Sequence, residues 1–132
     1  MVDNLSSLLD RMPRLNAPVY RGCTFETSQK ALEYVARLFD RPQSLTGFVS
    51  TTPDPVVAMQ YAKASAHPVV IVVPHSAHAV YFGPHSRHPE DEEALIDYRY
   101  YLEGVATFSR GGILYVVAEE KERNGNFNGA RP

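Results

Sequence analysis

The sequence lacks several features that would place the protein in particular classes. It has one cysteine, Cys23, in 132 residues, so no disulfide can form within the chain. Because such a chain suits a reducing compartment, we expect it to act in a cytosol. No stretch approaches the ~20 apolar residues that a membrane-spanning helix needs. Asp3 and Asp10 stand where a signal peptide would be positively charged, so we expect any delivery signal to lie outside this chain.

Charge and histidine content argue against further kinds of site. The formal net charge of −2 gives no global basic field, which disfavours a nucleic-acid partner without ruling it out. The pairs His75–His78 and His85–His88 have no cysteine partners, so we expect no metal site. The pattern GxGxxG is absent, which argues against dinucleotide binding in the Rossmann manner. We expect Cys23 to be a small buried hydrophobe and not a nucleophile.

The order of predicted elements indicates an α+β domain. With 44% apolar and 21% charged residues, the chain is typical of one folded domain, which we place at residues 1–122. Helical patterns occupy the first half, where we expect Thr52 to cap the last helix and Pro53 to be its first residue. Strand patterns fill the second half, so the sheets should be mostly antiparallel. Residues 123–132 are rich in turn formers and are expected to be a mobile tail.

Two polar features stand at the ends of predicted strands. Arg21 follows a short apolar strand, an unfavourable position for a charge unless it is paired or binds an anion. It therefore predicts either a structural salt bridge or a guanidinium that binds phosphate. Ser50, Thr51 and Thr52 stand at a strand-to-helix junction. A helix cap explains Thr52, and it leaves Ser50 and Thr51 to hydrogen-bond a ligand or to hold a carboxylate.

An acidic run from Glu90 to Glu93 precedes a later strand. By itself such a run is typical of a solvated loop. Strand geometry places residues two apart on one face, so it predicts that Asp91 pairs with Glu93 and that Glu90 pairs with Glu92. Glu93 then lies on the face that carries both polar and apolar residues. This face is expected to border a wet cleft.

The order of these features resembles that of a known enzyme family. Arg21 in "VYRG", Ser50 in "GFVSTTPDPVVAMQYA" and Glu93 in "EDEEALI" are placed as in the Arg-Ser-Glu class of mono-ADP-ribosyltransferases. This is the family of the bacterial ADP-ribosylating toxins and effectors. The middle segment is the most specific, because the helix after the Ser-Thr-Thr triplet also matches. The resemblance spans roughly residues 18–118 and implies two small, mostly antiparallel sheets flanking an NAD cleft in a single catalytic domain.

The resemblance also implies a role for each residue. The family transfers ADP-ribose from NAD to a target and releases nicotinamide, through an oxocarbenium-like state that a fixed carboxylate stabilises. Glu93 would supply this carboxylate. Ser50 would position Glu93 and line the nicotinamide pocket, with support from Thr51. Arg21 would hold the pyrophosphate or the adjoining ribose, and Gly22 would let the backbone approach the dinucleotide closely.

An aromatic ring is expected against the nicotinamide ring. Phe48, Tyr61, Tyr81 and Phe82 are available, and Phe48 is included among the candidate NAD contacts. NAD would be the co-substrate, and no metal is implied.

The sequence departs from the family pattern two residues before Glu93. There the family has Glu or Gln, which engages the acceptor, whereas this sequence has Asp91, one methylene shorter than Glu. A register with Glu92 as the catalytic residue restores the usual pair with Glu90, but it puts a second Glu where the family has an apolar residue. We therefore prefer Glu93, and we leave open whether Asp91 or Glu90 engages the acceptor.

The resemblance predicts an NAD-dependent mono-ADP-ribosyltransferase, a toxin or effector module that acts on a macromolecular acceptor. The acidic balance favours a protein side chain such as Arg over nucleic acid. A cognate immunity protein is an expected partner, and a membrane is not. The enzymatic alternative is an NAD glycohydrolase on the same fold, which the short Asp91 side chain favours. A non-catalytic binding module is the other alternative, and the joint presence of Arg21, Ser50 and Glu93 argues against it.

Overall fold

The computed structural model describes residues 7–82 and 89–123, and its elements follow the predicted α+β order. Helix α1 spans Ser28–Asp40 and helix α2 spans Pro55–Ala62. The strands are β1 (Ala17–Cys23), β2 (Val49–Thr51), β3 (Val69–Ser76), β4 (Val80–Tyr81), β5 (Ala94–Ile96), β6 (Tyr100–Arg110) and β7 (Ile113–Glu122). Single 3-10 turns occupy Pro42–Ser44 and Pro89–Asp91. Residues 124–132 of the expected tail and the pair His85–His88 lie outside the described residues.

The strands form two sheets. The larger has the order β1-β3-β7-β6, and the smaller has the order β2-β5-β4. The pairing of β3 with β7 is parallel and the other pairings are antiparallel, so the prediction of mostly antiparallel sheets is confirmed. In the described part of the chain, both labelled helices precede β3, as predicted. None of the described helices has the length and apolar character needed to cross a membrane.

Strand β3, one of the two central strands of the larger sheet, is apolar at successive positions and packs on both faces. Val69, Ile71 and Val73 pack in the main core with α1 and the smaller sheet. Val70 and Val72 point the other way and pack with α2. This alternation is the two-residue period of a strand.

Helix α2 begins two residues later than predicted. Asp54 is its cap, because the Oδ1 atom of Asp54 accepts a hydrogen bond from Val56 N at 2.9 Å. Pro55, not Pro53, is the first helical residue. Thr52 is buried, and its Oγ1 atom accepts from Asp54 N at 3.1 Å. The predicted cap at Thr52 is wrong because the backbone of this residue instead joins the two sheets.

The two sheets are joined by a reciprocal backbone bridge. Tyr20 N donates to Thr52 O, and Thr52 N donates to Tyr20 O, each at 2.8 Å. The bridge brings the middle of β1 beside the residue that follows β2. Arg21 and Ser50 therefore lie next to this junction.

Helix α2 packs closely against β1 at Gly22. A Cβ atom on residue 22 would clash with the carbonyl oxygen of Ala58, and it would lie 2.9 Å from the Cβ atom of Tyr61. This contact gives Gly22 a packing role. Its approach to a dinucleotide stays a prediction.

We expect Gly22→Ala to destabilise the fold by about 1–3 kcal/mol, because helix backbone cannot move aside for the added methyl group without shifting α2. Urea denaturation measures the effect. Gly104→Ala is the matched control, since its Cβ atom would meet the ring of Phe39, a side chain that is 37% exposed and can rotate away. Equal unfolding midpoints for Gly22→Ala and the unmodified protein would contradict the packing role.

Candidate active site

Arg21 lies on the core side of β1, between the buried residues Val19 and Cys23. Its Nη1 atom donates to Ser50 O at 2.9 Å, and its side chain lines a cavity of about 350 Å³. Among the residues described, no carboxylate lies within 4.0 Å of the guanidinium. Of the two alternatives for Arg21, the described contacts therefore favour a cation that faces an anion in the cavity.

The cavity lies between α1, β2 and the chain that connects them. It shares Tyr34, Arg37 and Ser44 with a larger groove of about 700 Å³ along α1. Arg37 is held over Ser44, whose Oγ and carbonyl oxygen accept from the guanidinium at 3.3 Å each. Arg21 and Arg37 thus give the cavity two guanidinium groups, which suits a diphosphate. The sequence analysis missed Arg37, because a charged residue on an amphipathic helix is the usual solvated residue.

Ser50 and Glu93 meet across the smaller sheet. Strand β2 pairs with β5 so that Ser50 lies opposite Leu95 and Thr51 opposite Ala94. The Oγ atom of Ser50 donates to Glu93 Oε2 at 2.7 Å, a charge-assisted bond. On the other side of the loop, Phe82 N donates to Glu93 O at 2.7 Å. The neighbouring segments therefore fix both the backbone and the side chain of Glu93.

Arg21, Ser50 and Glu93 form one chain of contacts. Arg21 binds the backbone of Ser50, and the side chain of Ser50 binds the carboxylate of Glu93. The structure thus brings together the three residues that the resemblance singled out. Their roles in a reaction stay predictions.

The acidic run is not part of a strand, so the alternation argument for Glu93 is wrong in its premise. Pro89–Asp91 forms a 3-10 turn, Glu92 has a φ of 51°, and β5 begins only at Ala94. A left-handed conformation at a non-glycine residue costs about 1–2 kcal/mol. The mixed face, which carries Leu95 and Asp97, was expected to border a wet cleft, but both residues are buried. The turn at Glu92, not strand alternation, accompanies the contact of Glu93 with Ser50.

Thr51 and Phe48 have different surroundings. Thr51 is buried, and its Oγ1 atom donates to Ala94 O at 2.8 Å, so its hydroxyl group holds β2 to β5. Phe48 is half-buried and lines the 350 Å³ cavity, and its ring meets the ring of Tyr98 at a centroid distance of 5.5 Å. Of the candidate aromatics, Phe48 is the one that lines the cavity with Arg21. Contacts of Phe48 and Thr51 with NAD stay predictions.

Asp91 is bound by Tyr61, one of the candidate rings for nicotinamide. The hydroxyl group of Tyr61 donates to Asp91 Oδ2 at 2.7 Å, across 30 positions in sequence. This hydrogen bond raises the pKa of Tyr61, and burial and the charges of Asp91, Glu93 and Glu90 raise it further. The helical position of Tyr61 gave no signal of this contact, because it depends on how α2 packs on β1.

Cys23 is buried in the main core, as predicted. Burial raises the pKa of its thiol, although the nearby Arg21 acts in the opposite direction. Within residues 7–82 and 89–123, no three His, Cys, Asp or Glu side chains are grouped to hold a metal ion. His78, from one of the histidine pairs, stacks on Tyr100 at a centroid distance of 3.8 Å.

We expect the two hydroxyl groups of β2 to differ in their contribution to stability. Thr51→Val leaves a buried carbonyl without its donor, so the free energy of unfolding should fall by about 1–3 kcal/mol. Ser50→Ala removes a half-buried bond whose carboxylate partner can be solvated, so the loss should be smaller, about 1 kcal/mol or less. Urea denaturation of both variants measures the difference, and the reverse order would contradict it.

Solved structures that resemble this fold are bacterial ADP-ribosyltransferases. The Vis toxin of Vibrio splendidus superposes with a TM-score of 0.65 at 15% identity, over 92% of this chain and 55% of that one. HopU1 of Pseudomonas syringae superposes with a TM-score of 0.58 at 20% identity, over 88% of this chain and 49% of that one. Exoenzyme S of Pseudomonas aeruginosa superposes with a TM-score of 0.59 at 13% identity, over 89% of this chain and 56% of that one.

The likeness to these three structures is one of fold, at no more than 20% sequence identity. No protein-family model matches the sequence, and no curated protein matches it significantly. The chain spans about half the length of the three structures. The predicted α+β architecture is confirmed, and the chain has the ADP-ribosyltransferase fold.

Proposed function

We propose that the protein is a mono-ADP-ribosyltransferase of the Arg-Ser-Glu class, which cleaves NAD at the nicotinamide glycosidic bond and transfers ADP-ribose to a macromolecular acceptor. The observation that carries this proposal is the contact chain from Arg21 through Ser50 to Glu93, beside a cavity in an ADP-ribosyltransferase fold. A buried salt bridge or a solvated acidic loop would not need these three residues in contact.

NAD would bind with its diphosphate toward the guanidinium groups. Arg21 and Arg37 both line the 350 Å³ cavity, and Arg37 also lines the adjoining groove. Phe48 offers a ring for the nicotinamide. Exoenzyme S, which shares the fold, binds the analogue carba-NAD.

Glu93 would act on the bond that breaks. Nicotinamide leaves with the electron pair of its bond to the ribose, and positive charge develops on the ribose. A carboxylate that is already fixed stabilises this charge without having to reorganise. The bond from Ser50 and the backbone bond from Phe82 hold Glu93 in this way. Ser50 is therefore the positioning residue for Glu93.

The acceptor would be a protein side chain, with Arg as the favoured type. The structure of Vis with agmatine shows that a protein of this fold binds a guanidinium compound, and the complex of Exoenzyme S with 14-3-3 shows that another binds a protein. We extend the proposal to a toxin or effector module that acts in a reducing cytosol and is held inactive by an immunity protein in the producing cell.

We expect Glu93→Gln to lower nicotinamide release from NAD by about 100-fold or more, because the amide accepts the bond from Ser50 but carries no negative charge. Purified protein is assayed with NAD and a cell lysate. Glu92→Gln is the matched control, one residue away and equal in charge change, and its rate should fall much less.

The products of the same assay separate the alternatives. An adduct of ADP-ribose on lysate protein supports the transferase, whereas free ADP-ribose alone indicates an NAD glycohydrolase. An adduct on nucleic acid would show that the acceptor is a nucleic acid and not a protein. If the unmodified protein releases no nicotinamide under any condition, the proposed function is wrong.

A further inference from the structure

Cleavage of NAD does not account for the hydrogen bond between Tyr61 and Asp91. Tyr61 stands near the end of α2, and its side chain is 52% exposed. A tyrosine this exposed can bind water without being held. Its hydroxyl group instead donates to Asp91 Oδ2 at 2.7 Å, on the loop that carries Glu93.

Tyr61 is fixed at both ends. At its base, the Cβ atom of Tyr61 lies 2.9 Å from the position that a Cβ atom on residue 22 would take. Helix α2 therefore packs directly on the backbone of β1 at Gly22, with no side chain between them. At its tip, the hydroxyl group holds Asp91. The aspartate is thereby connected to β1, the same strand that carries Arg21.

The surroundings of the Tyr61 hydroxyl group are acidic. The hydrogen bond to Asp91 raises the pKa of Tyr61, and burial and the charges of Asp91, Glu93 and Glu90 raise it further. In the part of the chain that the structure describes, no Lys or Arg nitrogen lies within 4.0 Å of Asp91 or Glu93. The carboxylate of Asp91 thus has the hydroxyl group of Tyr61 as a partner and no ion pair among the described residues, so a cationic group can bind it at this rim.

We propose that Tyr61 is a positioning residue for Asp91: its hydrogen bond fixes the short carboxylate so that Asp91 can engage an acceptor of the guanidinium class. This inference rests on the proposed function. With Oδ2 occupied by the phenol, Oδ1 of Asp91 faces an acceptor with a fixed orientation. An aspartate is one methylene shorter than a glutamate, and the hydrogen bond from Tyr61 gives it the fixed position that a carboxylate on a loop would otherwise lack.

In the transfer step, a nitrogen of the guanidinium group forms a bond to C1′ of the ribose as the bond from C1′ to nicotinamide breaks. Nicotinamide leaves as a neutral molecule with the electron pair of that bond. The proton that the acceptor nitrogen loses passes to Asp91 Oδ1 and from there to water. Tyr61 touches neither substrate and acts only through Asp91.

The test uses agmatine, a small guanidinium compound, as the acceptor probe. ADP-ribosyl-agmatine and free ADP-ribose are measured in the same reaction, and their ratio reports how well the acceptor competes with water. We expect Tyr61→Phe to lower this ratio about tenfold and to raise the KM for agmatine, as loss of a hydrogen bond to a charged group predicts. Tyr101→Phe is the matched control and should leave the ratio unchanged, since its hydroxyl group contacts only Gln43 among the described side chains, at 3.4 Å.

A double-mutant cycle shows whether Tyr61 acts through Asp91. Asp91→Asn should lower the ratio at least as far as Tyr61→Phe, and the double variant should be no worse than Asp91→Asn alone. Additive losses would overturn the positioning role. Because Asp91→Asn leaves Tyr61 in place, an unchanged ratio in this variant overturns the inference even if Tyr61→Phe fails to fold.

The outcomes also separate this inference from the proposed function. If the unmodified protein releases nicotinamide but Tyr61→Phe keeps the ratio of the unmodified protein, the inference is wrong and the proposed function stands. If it releases nicotinamide and modifies lysate components but never agmatine, the guanidinium class is wrong. If it releases no nicotinamide, both fail together.

Discussion

The reciprocal backbone bridge between Tyr20 and Thr52 is the constraint on which the rest of the site depends. Its two N–O distances of 2.8 Å join the larger sheet to the smaller one. Buried backbone groups must be paired, so the two segments cannot separate without a large cost. Arg21 follows Tyr20 in β1, and Ser50 lies in β2, two residues before Thr52. The bond from Arg21 to Ser50 O is a direct result of this junction.

From the junction, two routes lead to the acidic loop. Arg21 points into the cavity side of β1, and the contact with β2 continues from Ser50 to Glu93. Gly22 belongs to the opposite side of the strand, where it admits α2 and so places Tyr61 against Asp91. Adjacent residues of one strand thus support the two carboxylates separately. In the proposed function, the contacts through Ser50 support the cleavage of NAD, and the contact through Tyr61 supports binding of the acceptor.

Much of this fold could be predicted from residue patterns, because apolar runs such as Val69–Val73 and the helical periodicity of α1 depend on local spacing. Local rules failed where a tertiary contact decided the outcome. Thr52 has the chemistry of a helix cap, but its backbone is needed to join the sheets. Strand alternation was assumed in the acidic run, where Glu92 instead adopts a positive φ. The pairing of Tyr61 with Asp91 had no sequence signal, because it depends on how closely α2 approaches β1.

The crystal structure of the protein with carba-NAD is the measurement that tests the central claim most directly. The account predicts the diphosphate of the analogue beside Arg21 and the nicotinamide end beside Ser50, with a hydroxyl group of the adjoining ring bound to the Glu93 carboxylate. The same complex would show whether Phe48 stacks on the nicotinamide. An analogue bound away from Arg21 and Glu93, or no binding at millimolar concentration, would contradict the account.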